Sequence, residues 1–166
     1  GHGGGSVAAL KRVLLADDHQ IVLDGLRGLL GAEFTIVATA ADGHQLLARA
    51  AETQPDVIVA DISMPLLNGI DALRKLRENG IAAKVVFLTM HPDVTYLTRA
   101  LDAGASGYVL KHAASDELIE AIHTALRGGV FLSPQLQTAP VAELLDETRR
   151  AGGRATIEPT GRQREV

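Results

Sequence analysis

Val57-Ile58-Val59-Ala60-Asp61 is a short apolar run that closes in a carboxylate, and Val13-Leu14-Leu15-Ala16 closes the same way in Asp17-Asp18. Runs of this length, with no alternating polar partner, suit strands buried on both faces, the condition of a parallel sheet covered by helices. If the two runs are parallel strands of one open sheet, their carboxyl ends share an edge. Ligands of such sheets bind in the crevice outside that edge, beside a topological switch point. Asp17, Asp18 and Asp61 would then share one pocket. Two carboxylates about 4 Å apart repel by roughly 4 kcal/mol at an effective dielectric near 20, so such a cluster takes up protons or a cation. Oxygen ligands, with no Cys and no second His nearby, favour a hard ion such as Mg²⁺.

Outward from these runs, the chain alternates strand-like and helix-like segments five times between Lys11 and about Gly128. This is the pattern of a doubly wound α/β fold, a five-stranded parallel sheet with helices on both faces. Val22, Leu26, Leu29 and Leu30 form one face of a first helix ending near Gly31, and residues 34–40 form the second strand. Asp42 and Gln45 make a capping box for a helix that turns Leu46, Leu47, Ala50 and Ala51 inward. Ile70, Leu73 and Leu76 mark the third helix, residues 84–89 the fourth strand, and Leu97, Ala100 and Leu101 a fourth helix stopped by Gly104. Residues 107–110 are the fifth strand, and Leu118, Ile122, Ala125 and Leu126 give the last helix its buried stripe before Gly128-Gly129.

Composition agrees. The chain has 166 residues, 46% of them apolar, but only three Phe, two Tyr and no Trp, so its core is built from Leu, Val, Ile and Ala. The absence of Cys removes disulfides, thiolate metal sites and cysteine nucleophiles, and is compatible with a reducing, cytoplasmic setting. No apolar run reaches about 18 residues and no basic-then-apolar leader is visible, so neither a membrane span nor a secretory signal is expected. Residues 1–145 carry 11 basic and 16 acidic side chains, and this negative body argues against nucleic acid as its direct ligand. Gly1-His2-Gly3-Gly4-Gly5-Ser6 reads as a tag remnant, and residues 1–10 as a disordered N-terminus. Pro134, Pro140, Gly152-Gly153 and Pro159 break up the chain beyond residue 129, so 130–157 reads as a linker in which Val141, Leu144 and Leu145 allow one amphipathic helix.

Each polar group at a strand end has an ordinary explanation by itself. Asp17 or Asp18 can cap a helix, Thr89 can be a β-branched strand residue, and Lys111 a solvated charge. Their coincidence changes the reading, because four strand-like runs end in Asp17-Asp18, Asp61, Thr89 and Lys111, and this topology brings all four ends together. Three acids, a hydroxyl and an ammonium suit phosphoryl chemistry: acids for Mg²⁺, a carboxylate nucleophile, and Lys and Thr to hold phosphoryl oxygens.

With Asp17-Asp18-His19, the run Asp61-Ile62-Ser63-Met64-Pro65-Leu66-Leu67-Asn68-Gly69, Leu88-Thr89-Met90-His91 and Gly107-Tyr108-Val109-Leu110-Lys111, the chain resembles the receiver domain of two-component response regulators over residues 11–129. The motifs are those of the NarL/FixJ subfamily. The resemblance implies a flavodoxin-like sheet of strand order 2-1-3-4-5. It implies that Asp61 accepts a phosphoryl group from a histidine kinase, and that Asp17, Asp18, Asp61 and the backbone carbonyl of Ser63 hold Mg²⁺. Lys111 would pair with the acids or the phosphoryl group, and Thr89 with Tyr108 would form a switch pair whose ring turns inward as the Thr89 hydroxyl moves away. It further implies a cytoplasmic signalling switch, not a turnover enzyme, that forms a homodimer on phosphorylation and reaches DNA only through an output domain.

Many receivers have Pro after the lysine, whereas here His112 comes next, so a trans bond is expected at Lys111-His112. Residues 158–166 resemble the truncated start of a LuxR-type helix-turn-helix domain, with Pro159 and Gly161 as departures. The alternative is a haloacid-dehalogenase-like phosphohydrolase, which also uses an Asp nucleophile and Mg²⁺; the adjacency of Asp17 and Asp18 departs from its Asp-x-Asp spacing. A third reading is a receiver-like module that works without phosphorylation. His19, His44, His91 and His123 lack partners at metal-ligand spacing and read as solvated or capping residues, with His91 a candidate to line the entrance for the water that removes the phosphoryl group.

Overall fold

A computed structural model describes residues 9–90 and 93–137. Expectations about the N-terminal remnant, His91, the helix near Leu144 and residues 158–166 lie outside the described residues.

The described elements are β1 (Arg12–Ala16), α1 (Gln20–Leu30), β2 (Thr35–Ala40), α2 (Gly43–Thr53), β3 (Val57–Asp61), α3 (Gly69–Glu78), β4 (Lys84–Thr89), α4 (Val94–Asp102), β5 (Gly107–Leu110), α5 (Ala114–Leu126) and β6 (Phe131–Leu132). Short 3₁₀ turns occupy Lys111–Ala113 and Pro134–Leu136. All strand pairs are parallel and the order is β2-β1-β3-β4-β5-β6. The sheet therefore has one strand more than the five expected. Gly128, at φ +88°, turns the chain after α5, and two residues assigned by composition to the linker return to pair with β5.

Strand alternation splits the core in two. Val13, Leu15, Val57, Val59, Val86, Leu88 and Val109 face α1 and α5, packing on Leu23, Leu26, Leu30, Leu118 and Ile122. Leu14, Ile58, Ala60, Val85, Phe87 and Leu110 face the other way, under Leu46, Leu73, Leu76, Leu97 and Leu101 of α2, α3 and α4. Three helices start on polar caps: Asp42, Asn68 and Asp93 each accept a backbone N–H of the first turn. Gln45 completes the second half of its box one residue early, with its side chain accepting from the Ala41 N–H at 2.9 Å.

The register matters most for the site. Ala16 pairs with Ala60, so Asp17 and Asp61 leave their strands at one level. Asp61 is level with Leu88, and Thr89 with Leu110, which sets Thr89 and Lys111 around the same edge.

Candidate functional site

Asp17 and Asp61 are both buried, and each has its two carboxylate oxygens held differently. Lys111 Nζ lies 2.8 Å from Asp17 Oδ2 and 3.1 Å from Asp61 Oδ2. The remaining oxygens accept backbone N–H groups, Asp17 Oδ1 from His19 at 2.9 Å and Asp61 Oδ1 from Ser63 at 3.0 Å. The main chain fixes both loops, since the Asp17 N–H donates to Ala40 O at 2.9 Å and the Ile62 N–H to Leu88 O at 3.0 Å. One ammonium thus bridges two buried acids, while Asp18 sits beside them in partial contact with water.

Charge is unbalanced here: three carboxylates face one lysine. Burial raises the Asp61 pKa above the ordinary carboxylate range, helped by the neighbouring Asp17, although the Ser63 N–H and Lys111 pull it down. Burial alone would lower Lys111, but the two acids outweigh it and the ammonium is held above its ordinary value.

His19 reads in the sequence as a solvated or capping residue, and its side chain is largely exposed. It is the N-cap residue of α1 with no side-chain capping bond, and its Nδ1 lies 3.2 Å from Asp17 and 3.1 Å from Asp18. Ligand atoms of Asp17, Asp18, His19 and Asp61 all lie within 4.8 Å of one another. Nothing in a lone His after Asp-Asp announces which way its ring will turn.

Thr89 is buried at the end of β4, and Tyr108, one strand over, is fully buried. Burial pushes the Tyr108 phenol up to about 12, while contact with the Thr89 side chain works the other way. The ring expected to turn inward is inward already. Lys111 opens a 3₁₀ turn into α5, and no cis peptide occurs among the described residues, as expected for Lys111-His112.

The loop after Asp61 is tightly held at one end and strained in the middle. A methyl group on Gly69, where α3 begins, would sit 2.7 Å from a Phe87 ring carbon and 3.0 Å from the Asp61 carbonyl oxygen. Leu66 takes φ +69°, a left-handed conformation that branched side chains avoid, and is exposed. A cavity of about 490 Å³ opens beside this loop, bounded by Asp18, Ser63, Met64, Tyr96 and Arg99 among others.

The family profile described as response regulator receiver domain matches residues 13–123. The chain belongs to the response regulator receiver family. Its relatives place it in the NarL/FixJ subfamily. It is 37% identical over 141 residues to the transcriptional regulatory protein DegU of Brevibacillus brevis, covering 84% of this chain and 58% of that protein. It is 36% identical over 140 residues to the oxygen regulatory protein NreC of Staphylococcus carnosus, covering 82% of this chain and 64% of that one. A crystal structure of a LuxR-family two-component response regulator from Aurantimonas sp. SI85-9A1 superposes with a TM-score of 0.74 at 36% identity, covering 86% of this receiver and 99% of that chain. The receiver chain spans about three-fifths of the length of these two curated relatives. The phosphohydrolase alternative is set aside: the family match covers the site, and the acids that close β1 are adjacent. Among the described residues no helix is long and apolar enough to cross a membrane.

Proposed function

We propose that Asp61 accepts a phosphoryl group from a phosphohistidine of a histidine kinase, and that this switches a DNA-binding output domain. The observation that carries the reading is the pairing of buried Asp61 with Lys111 and the Ser63 N–H, level with Asp17 at the edge of a parallel sheet. In the transfer an Asp61 oxygen forms the bond to phosphorus as the phosphorus–nitrogen bond breaks, and the departing imidazole keeps the electron pair. Ser63 orients one Asp61 oxygen, and the Lys111 ammonium beside the other is placed to meet incoming phosphoryl oxygens. A protonated carboxyl is no nucleophile, so the raised Asp61 pKa makes transfer fall off as the medium is acidified.

The donor set fits Mg²⁺, because three acids converge and their excess negative charge calls for a hard cation. Asp17, Asp18, Asp61 and the Ser63 carbonyl would hold it. When bound it neutralises charge on the phosphoryl oxygens during transfer. His19 lies within reach of the same acids, and its ring turns a nitrogen toward the cluster.

Downstream, Thr89 moves its hydroxyl toward the new phosphoryl oxygens. Because Tyr108 is already buried, that hydroxyl shift is the first event, and the ring settles into the space it leaves. We read residues 11–129 as the receiver, 130–157 as a linker whose first residues lie on the sheet edge, and 158–166 as the opening of a LuxR-type helix-turn-helix domain. Cytoplasmic location, dimerisation on phosphorylation and DNA contact through the output domain complete this reading. It is supported by relatives named as transcriptional regulators and by the acidic balance of residues 1–145. Acetyl phosphate with Mg²⁺ should add a single phosphoryl mass to the intact chain, lost in Asp61→Asn. An adduct that persists in that variant would move the acceptor elsewhere.

A further inference from the structure

The segment after α5 runs along β5, the strand that leads into Lys111. β6 is only two residues long, pairing Phe131 with Gly107 and Leu132 with Tyr108, so the backbone ladder along β5 ends before Leu110. Ser133 extends it with both backbone and side chain. Its N–H donates to Tyr108 O at 3.1 Å, and its Oγ accepts the Leu110 N–H at 3.0 Å, across 23 residues of sequence. The same hydroxyl donates its proton to Glu117 Oε1 on α5. Ser133 is fully buried, and without its hydroxyl the Leu110 N–H would lose its partner in a place water does not reach.

Leu110 is the residue directly before Lys111, and the backbone changes from strand to 3₁₀ turn at that point. A strand end at such a junction is free to pivot unless its N–H is held. The relay Leu110 N–H to Ser133 to Glu117 ties the junction to both the sheet edge and α5, and each bond polarises the next. Lys111 then reaches two separate carboxylates at 2.8 and 3.1 Å, a placement that a small pivot would spoil.

We propose that Ser133 is a positioning residue for Lys111, its buried hydroxyl fixing the backbone from which the ammonium reaches Asp17 and Asp61. The proposal rests on the reading of Asp61 as phosphoacceptor and Lys111 as its partner. It makes a segment outside the fivefold strand–helix alternation a support of the reacting machinery.

The test uses Ser133 variants of the whole chain with acetyl phosphate and Mg²⁺. Ser133→Ala should take up the phosphoryl group about tenfold more slowly, inside the roughly hundredfold that a 1 Å misplacement can cause. Ser133→Thr keeps the hydroxyl and should stay within about threefold of the starting chain. In a Lys111→Gln background, Ser133→Ala should change little, because residues acting through one group are not additive. An unchanged rate in Ser133→Ala, or equal losses in both backgrounds, overturns the proposal. A second readout needs no donor: the Lys111 Nζ resonance of lysine-labelled chain should move in Ser133→Ala and hold in Ser133→Thr, and an unmoved resonance overturns the proposal as well. If the starting chain takes up no phosphoryl group at all, the acceptor reading has failed, and the resonance still decides the role of Ser133. Should Ser133→Ala not fold, Ser133→Cys, whose sulfur is a weak acceptor for the Leu110 N–H, takes its place with the same outcomes.

Discussion

Replacing Lys111 by Met keeps the length of the side chain and removes the ammonium that touches both Asp17 and Asp61. At 2.8 and 3.1 Å, and at an effective dielectric near 20, each contact supplies about 5 to 6 kcal/mol of Coulomb attraction before desolvation is counted. Desolvation of the ammonium offsets most of that. The remainder is the cost of stranding two buried carboxylates, typically about 3 to 5 kcal/mol when one partner of a buried pair is removed. Protonation limits the damage, because an acid without its partner takes up a proton at higher pH. The sign comes from linkage: Asp61 already has a folded pKa above its unfolded value, so it binds more protons folded than unfolded, and stability falls as pH rises through that folded pKa. Lys111→Met enlarges this effect. Urea unfolding without divalent ions should therefore show a loss of about 3 kcal/mol near neutral pH that shrinks as the medium is acidified, with Mg²⁺ restoring part of it at the higher pH. A loss below about 1 kcal/mol, or one that does not change with pH, would mean that the ammonium does not neutralise these acids.

Asn at both Asp17 and Asp18 should abolish Mg²⁺-dependent phosphorylation while circular dichroism shows the fold intact, because the amides keep the shape but not the charge of the cluster. Retained labelling would contradict the metal-holding role of the pair. Leu66→Gly should stabilise the chain by about 0.5 to 1 kcal/mol in urea, since it relieves a left-handed leucine on an exposed loop at the cost of extra freedom in the unfolded chain. A loss of stability would show that the Leu66 side chain makes a contact that matters. Phosphorylated chain should sediment more heavily than unmodified chain at equal concentration, whereas Thr89→Ala should be phosphorylated to the same extent and sediment as before; heavy sedimentation of phosphorylated Thr89→Ala would uncouple Thr89 from the surface change.

Strand ends are legible because buried parallel strands are apolar throughout, so the first polar residue marks the carboxyl edge. That logic finds Asp17, Asp61, Thr89 and Lys111 without any knowledge of how the strands pair. It does not contain the level of each end. Asp17 comes beside Asp61 only through the Ala16–Ala60 pairing, a relation across 44 residues that periodicity does not encode. β6 escapes for a different reason: a two-residue strand is too short to show a period, although Leu132 packs into one core cluster and Phe131 against the other. His19 reads in the sequence as a solvated or capping residue, and its place among the acids depends on one side-chain rotamer. Leu66 carries no warning of its left-handed backbone, at φ +69°.

The same arrangement explains why such a site can act as a switch. Asp17, Asp18 and Asp61 are brought together by the folding of the whole sheet, which overrides their mutual repulsion. Burial, with a smaller push from Asp17, leaves the Asp61 pKa raised in the native state, and both buried acids lean on Lys111. A site relaxed in its resting form would have little to gain from a cation or a phosphoryl group. Here a cation would offset the excess of three acids over a single ammonium, and a phosphoryl group would add to that excess. Thr89 ends β4, the strand next to Asp61, while Tyr108 lies within β5 and Lys111 follows its end, two strands from Asp61 on the strand that β6 and Ser133 grip from the outer edge. A displacement of Lys111 that moved the Leu110 backbone would reach Ser133 directly, through the Leu110 N–H that its hydroxyl accepts.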